Sequence, residues 1–409
     1  MLTPRSAELE EHHLSDRERK NLAILDAIKR YGPISRTDIS KLIKLNIVTV
    51  SNYVNNFIEQ GLVIEKGLDI SSGGRRPTIV VLNPKAAFVI GVDLGFATVT
   101  AVLTDLEGSI VARAKAPRPR DTADHVVKTL TDLVNQVIQT AGVDRQKLKG
   151  IRIGCSGVID REVGTVRCTD GVASIYVPIT TLLEQQFKLP TTIEHDVTTA
   201  AYGEWSLGSG TDVDIMLFMY SGVGCGMIIN GEIYHGATGT AGEVSIRSEL
   251  QGEPSSDLQD VWIGNISALK PWAAHLGIPD KAREAIAQGA ISRMPDLAGG
   301  DPAKITMGTV FEAAKEGDKL AMEIVQKAGE RLGIRIAFLV NLMNPGAVVI
   351  GGGIEQAGPL LLESVKKMVR LYAFEEMANA VKIVPSRLGE DAVALGASAL
   401  VIRDTFANA

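Results

Sequence analysis

Twice along the chain, apolar strand-like stretches broken by glycine turns lead into a helical pattern and then into a further apolar strand. This repetition limits the available folds more than any other feature. The first round, FVIGVDLGFATVTAVLTDLEGSIVARAKAP, reads as three consecutive antiparallel strands with turns near Gly95 and at Glu107-Gly108. A helix from about Thr122 to Ala141 follows, then the strand IRIGCSGVID. The second round starts with the glycine-bearing hairpin IMLFMYSGVGCGMIINGEIYHG. Its helix spans Asp318 to Met343 and leads to the strand AVVIGGG. A chain of 409 residues is too long for one hydrophobic core, and 41 glycines suit an architecture rich in strand-to-helix turns. The expectation is an α/β body of two related lobes with a ligand cleft between them.

The first 85 residues follow a different pattern. SDRERKNLAILDAIKRYG places Leu22, Ile24, Leu25 and Ile28 on one helical stripe and stops at Gly32-Pro33. ISRTDISKLIKL reads as a second helix with Ser35 at its cap and Ile39, Leu42 and Ile43 facing inward. The third, NIVTVSNYVNNFIEQG, buries Val50, Val54, Phe57 and Ile58 and leaves Asn46, Thr49, Ser51, Asn52, Tyr53 and Asn55 available. Small polar groups near a helix amino end reach base edges and phosphates in a major groove. LVIEKG and TIVVLNP then alternate as two strands joined by LDISSGGRRP, which makes the unit a winged helix-turn-helix. Arg75 and Arg76 on the glycine-bearing tip suit a narrow, A·T-rich minor groove. The expected DNA contacts are therefore Ser35, Arg36, Asn46, Thr49, Ser51, Asn52, Tyr53, Arg75 and Arg76.

Charge agrees with this division. Residues 15–85 carry twelve lysines and arginines against seven acidic residues, on a chain of net charge −6, so a basic end sits on an acidic body. Only the end is suited to a polyanion. The three cysteines, Cys155, Cys168 and Cys225, are widely separated and form no CxxC or Cys/His spacing, which points to no disulfide framework and no zinc site. No run of about 18 apolar residues exists, and the amino end is charged where a signal peptide needs an apolar core. A cytoplasmic protein without membrane contact is expected.

GVDLG, IGCSGVID, IEHDVTTAAYGEW, SGVGCG, GTAGE and VVIGGGI, together with the helix-turn-helix and the SSGGRRP and LNP junction, resemble the ROK family. That family groups repressors, sugar kinases and uncharacterised reading frames on a two-lobed, actin-like sugar-kinase fold. The resemblance covers nearly all of the chain after residue 15, and the DNA-binding arm places it in the repressor branch.

The resemblance also bears on catalysis. The kinases' catalytic aspartate matches Asp196, but their phosphate loop DxGGTK is replaced by Asp93-Leu94-Gly95-Phe96-Ala97-Thr98, without the second glycine or the lysine. Phosphoryl transfer depends on positioning and neutralising phosphates, so this loop argues against ATP and against an enzyme. Tyr220-Ser221-Gly222-Val223-Gly224-Cys225-Gly226 and Gly351-Gly352-Gly353 still permit close backbone approach, which serves either a phosphate or a tight turn. The ExGH segment of the family, whose histidine contacts sugar and zinc, reads Glu243-Val244-Ser245-Ile246. The cysteine-rich zinc loop is replaced by the shorter QGEPSSDLQDVW. No metal and no cofactor are expected. His195 stands where the relatives place an asparagine.

These readings divide the chain into a flexible end (1–14), a winged helix-turn-helix (15–85), a first lobe (86–199, completed by 390–409) and a second lobe (200–389). The expected ligand residues are Ser156, Gly157, Asp170, His195, Asp196, Glu243 and Gln259. The function implied is a repressor of carbohydrate or polyol genes. It is expected to bind a palindromic A·T-rich operator in double-stranded DNA as a homodimer or tetramer. The effector expected in its cleft is a sugar, polyol or sugar phosphate. Two alternatives are a sugar kinase with an added DNA-binding arm, favoured by Asp196 and the glycine loops, and a ligand-independent oligomeric DNA-binding protein.

Overall fold

The computed structural model describes residues 14–68, 78–119, 122–169, 174–221, 224–242, 244 and 275–409. The first thirteen residues, expected to be a flexible end, lie outside the described residues. The chain forms two compact units. One comprises the residues up to Ile153, Val158–Ile193 and Ala397–Ala409; the other comprises Gly154–Gly157 and Glu194–Gly396.

The first unit begins with three helices, α1 (Asp16–Tyr31), α2 (Arg36–Ile43) and α3 (Ile47–Glu59). Each start is set by its cap. Ser15 and Glu18 form a capping box on α1, the Ser35 hydroxyl accepts from Asp38 N, and Asn46 Oδ1 accepts from Val48 N at 2.8 Å. A two-residue strand between α1 and α2, β1 (Ile34–Ser35), pairs antiparallel with β3 (Thr78–Leu82), which also pairs with β2 (Val63–Leu68). The wing is thus a three-stranded sheet, one strand more than the sequence pattern indicated.

This module does not close its own core. Ile24, Ile28, Ile39, Val50, Val54 and Phe57 pack in one cluster with Val89, Leu106, Val401, Ile402 and Phe406. About 70 residues bury too small a fraction of their surface to be comfortably stable alone, and the carboxy-terminal segment supplies the missing apolar wall. Phe57 of α3 meets Phe406 edge to face, with ring centroids 5.3 Å apart. Fully buried Asn21 donates to the carbonyls of Ala407 and Ala409 at 3.1 and 3.2 Å, and Arg17 donates to the latter at 2.7 Å. The boundary expected after residue 85 is therefore not a boundary between compact units.

The remainder of the unit is built on β4 (Phe88–Leu94), β5 (Thr98–Asp105), β6 (Ile110–Pro117), α4 (Ala123–Ala141) and β7 (Leu148–Cys155). Next come a small sheet of β8 (Val158–Asp160), β9 (Thr165–Thr169) and β10 (Ser174–Val177), then α5 (Ile179–Phe187) and β11 (Thr191–His195). The main sheet has the order β11-β7-β4-β5-β6, and β4, β5 and β6 are antiparallel neighbours.

The second unit opens with α6 (Asp196–Leu207), β12 (Ile215–Tyr220), β13 (Gly224–Ile229) and β14 (Glu232–Ile233). Helices α7 (Ile278–Ala287), α8 (Met294–Leu297), α9 (Met307–Lys315) and α10 (Lys319–Met343) precede β15 (Ala347–Gly351). The unit continues through α11 (Pro359–Tyr372), α12 (Glu375–Ala380) and β16 (Lys382–Pro385). The sheet order is β14-β13-β12-β15-β16. Numbered from the first strand of each sheet, both orders are 3-2-1-4-5, so the repetition in the sequence is a repetition of topology.

The chain passes between units after Ile193, rather than after Thr199 as expected. The reason is packing. A Cβ on Gly226 of β13 would lie 2.4 Å from the Ala201 Cβ of α6, so α6 lies flush on the second sheet along its length. The last helix, α13 (Ala392–Ala407), is apolar around its circumference, with Val393, Ala394, Ala397, Leu400, Val401 and Ile402 all buried. Its residues through Gly396 belong to the second unit and the rest to the first.

Candidate functional site

On the amino-terminal module, the exposed face of α3 is formed by Val48, Asn52 and Asn55, with Thr49 and Ser51 half-buried beside it. Val48 is 64% exposed. The cap bond from Asn46 Oδ1 to Val48 N fixes the first turn and leaves the Asn46 amide hydrogens outward. Tyr53, expected on this face, packs against the hydrophobic cluster instead. Ser35 is buried, with its hydroxyl 2.6 Å from Asp38 Oδ2, and serves as a cap rather than a presented group. Arg36 reaches back to Asn55 Oδ1 at 3.0 Å and Glu65 Oε1 at 2.8 Å, tying α2 to α3 and β2. Arg75 and Arg76 lie outside the described residues, on the connection between Leu68 and Thr78, which pair across the wing.

Sequence reasoning missed Val48. It selected polar residues, although positions 48, 52 and 55 fall on one face of any α-helix.

Ser156, Gly157, His195 and Asp196 are described and belong to the second unit, whereas Asp170, Glu243 and Gln259 lie outside the described residues. His195 is the cap residue of α6 and Asp196 its first residue, so the carboxylate sits at the positive end of the helix dipole. Asp196 is nearly buried, and its Oδ1 lies 2.7 Å from Val197 N and 3.7 Å from His195 Nδ1. Behind it, Glu194 Oε1 accepts from His195 N at 2.9 Å, and its Oε2 lies 3.0 Å from His235 Nε2. Glu194 and His235 were not singled out from sequence, because they lie 41 positions apart, one near a strand end and the other on the segment after β14. The pair holds the strand end from which His195 and Asp196 start. Gly157 has φ +113°, a conformation that side-chain-bearing residues rarely adopt.

The glycine loops now have a packing explanation. A Cβ on Gly351 would come within 2.6 Å of the Phe218 ring, and one on Gly352 within 2.5 Å of Ser221 N. Ser221 Oγ donates to Gly352 O at 2.7 Å. Phe96, on the turn between β4 and β5, is 71% exposed. The Cys155 and Cys225 thiols are buried, and burial pushes Cys225 up to about 12. Among the described residues, no group of three or more His, Cys, Asp or Glu side chains could hold a metal ion. No helix among them is long and apolar enough to cross a membrane.

Comparison with known proteins agrees with both halves of this description. A winged helix-turn-helix DNA-binding model matches residues 17–64, and the ROK family model matches residues 89–404. The chain is 31% identical to a xylose repressor of Caldicellulosiruptor bescii, over 96% of this chain and 98% of the repressor. It is 30% identical to the DNA-binding transcriptional dual regulator NagC of Escherichia coli, over 93% of this chain and 91% of that regulator. Among solved structures it resembles a ROK family transcriptional regulator, a homolog of the E. coli MLC protein. That likeness has a TM-score of 0.75 and 25% identity, over 96% of this chain and 97% of the other. A ROK family glucokinase of Streptomyces griseus, in complex with glucose and AMPPNP, matches 77% of this chain and 99% of its own, with a TM-score of 0.65 and 26% identity. A winged helix-turn-helix followed by a sugar-kinase-like body, matched over nearly its full length by these regulators, makes this chain a member of the ROK family.

Proposed function

We propose that the protein is a DNA-binding transcriptional regulator, a repressor of carbohydrate or polyol genes whose operator affinity is set by a small molecule held in the second unit. The carrying observation is α3. It is capped by Asn46 and buttressed from behind by Phe406, and it presents an uncharged hydrogen-bonding face to solvent. The regulator relatives support this reading, and their named sugars, xylose and N-acetylglucosamine, support a carbohydrate effector. His195 and Asp196 offer such a ligand a donor and acceptors. The operator in this reading is A·T-rich, with Arg75 and Arg76 entering the minor groove. Changing both to alanine is expected to weaken binding of the full chain to its selected duplex and to reduce the salt slope by about two. An unchanged slope sinks the wing's role.

Two copies on a two-fold operator complete the reading. Ile334, Phe338 and Leu342 are exposed at i, i+4 and i+8 on α10. Asn341 joins this row to the end of α11, donating to Tyr372 O and accepting from Phe374 N. Leu371, Tyr372 and Phe374 there are also exposed. Six large apolar side chains are thus exposed on neighbouring segments joined by Asn341, an apolar centre of the kind that dimer interfaces bury, and a second copy is the occupant we assign.

Asp196 and the likeness to the glucokinase favour a kinase as the second reading. The changed phosphate loop, with exposed Phe96 in it, and the regulator relatives support a body without kinase activity and without a cofactor. An ADP-release assay with magnesium over a sugar panel tests this. Turnover abolished by Asp196→Asn reverses the non-enzyme assignment.

A further inference from the structure

Val48 is the large apolar side chain most exposed on α3, in a first turn it shares with half-exposed Ile47, half-buried Thr49 and buried Val50. Folding gives no reason for it. A β-branched residue is a weaker helix former than alanine or the long polar residues, and a solvent-facing valine returns no burial. Its stiff side chain is, however, well suited to docking, because little rotamer freedom remains to be lost. One turn on, Asn52 is exposed on the same face, and i, i+4 side chains lie about 5–6 Å apart.

The surrounding groups restrict what this face can read. No lysine or arginine occurs between Asn46 and Gln60, so α3 lacks the side chains that most often read guanine. Arg36, whose guanidinium reaches α3, is held by Glu65 and by Asn55 Oδ1. The bond from Arg36 uses one of the two lone pairs of the Asn55 oxygen and fixes the orientation of its carboxamide. What α3 offers the centre of a half-site is the apolar contact of Val48, its most exposed hydrophobic, and one turn on the exposed carboxamide of Asn52, able both to donate and to accept.

We propose that Val48 and Asn52 are the specificity-determining pair. Val48 packs on the C5-methyl group of a thymine, and Asn52 makes the paired donor and acceptor contact to an adenine one or two base pairs away. This inference rests on the proposed entry of α3 into the major groove, and the test separates the two. The full-length protein is used to select its preferred duplex from a randomised library. Each thymine of the half-site is then replaced in turn by deoxyuridine, which removes only the methyl group.

One position per half-site is expected to lose about fourfold in affinity, the worth of one buried methyl-sized group. V48A is expected to bind the thymine and deoxyuridine duplexes equally. N52A is expected to lose its preference at the neighbouring adenine. Affinity within twofold at every deoxyuridine position, or a V48A protein that still discriminates, overturns the pair while leaving the regulator reading intact. Failure of any sequence to emerge from the selection overturns both. The wild-type scan requires no variant to fold, and Val48 is exposed enough that its replacement leaves the core untouched.

Discussion

Asp318 shows how one side chain sets an element. It caps α10, with Oδ1 accepting from Ala321 N at 2.9 Å and Oδ2 accepting from Ser292 Oγ and Arg293 N at 2.9 and 2.8 Å. Burial pushes its carboxyl up, but the hydrogen bonds from Ala321, Arg293 and Ser292 outweigh it and hold the group below its ordinary 3.8. A lowered carboxyl contributes stability above the unfolded-state value and loses it as pH falls through the folded one. Asp318→Ala is expected to cost about 1–2 kcal/mol at neutral pH. The gap from wild type should close below about pH 3.8, as urea midpoints across pH would report. A gap independent of pH would mean that the carboxylate charge is not what stabilises the cap. This cap was legible, since Asp318 was read as the start of the helix. Buried Asn21 was not, because its acceptors at Ala407 and Ala409 lie more than 380 residues away.

At the scale of elements, the informative one is α13. Local patterning identified α1, α2, α3 and α10 because each has a polar face and a recognisable cap. The same rules fail for a helix buried all round as far as Ile402, whose sequence ALGASALVI carries no face to orient it. They also fail for β1, where two residues give no periodicity. What α13 does is fill the open side of the DNA-binding module. Phe406→Ala would empty a site walled by Phe57 and the α1 and α3 side chains, at a cost of about 3–5 kcal/mol if the cavity does not collapse. Because Phe57 sits on α3, operator affinity should fall in this variant while sugar-induced thermal stabilisation of the body persists. Equal loss of both would show that the helix holds the whole molecule rather than the module.

For the whole molecule, the duplicated 3-2-1-4-5 sheet is the frame of the kinase-like body. Most of that duplication was legible, since GVDLG and SGVGCG mark matching hairpins and the strands before and after them are strongly apolar. The proposed effector residues were legible only in part: His195 and Asp196 mark the junction of a strand and a helix, but the Glu194–His235 pair depends on the fold. Assembly belongs to this scale as well. Phe338→Asp, placing a charge in the exposed α10 and α11 patch, is expected to yield monomers in sedimentation at micromolar concentration and to weaken operator binding through lost bivalency. A dimer that survives the substitution would place the two-fold contact elsewhere.

In the function proposed above, one chain couples a sugar-type ligand to sequence-specific DNA binding. Fluorescence anisotropy of the full-length protein on its selected duplex, titrated with and without xylose, N-acetylglucosamine and their phosphates, tests it directly. One of these ligands should shift the operator Kd by about 5–150-fold, the range of ordinary allosteric coupling, and Asp196→Asn should remove the shift without changing affinity in its absence. An operator Kd that none of these ligands shifts, or equal affinity for the selected and a scrambled duplex, would contradict that coupling.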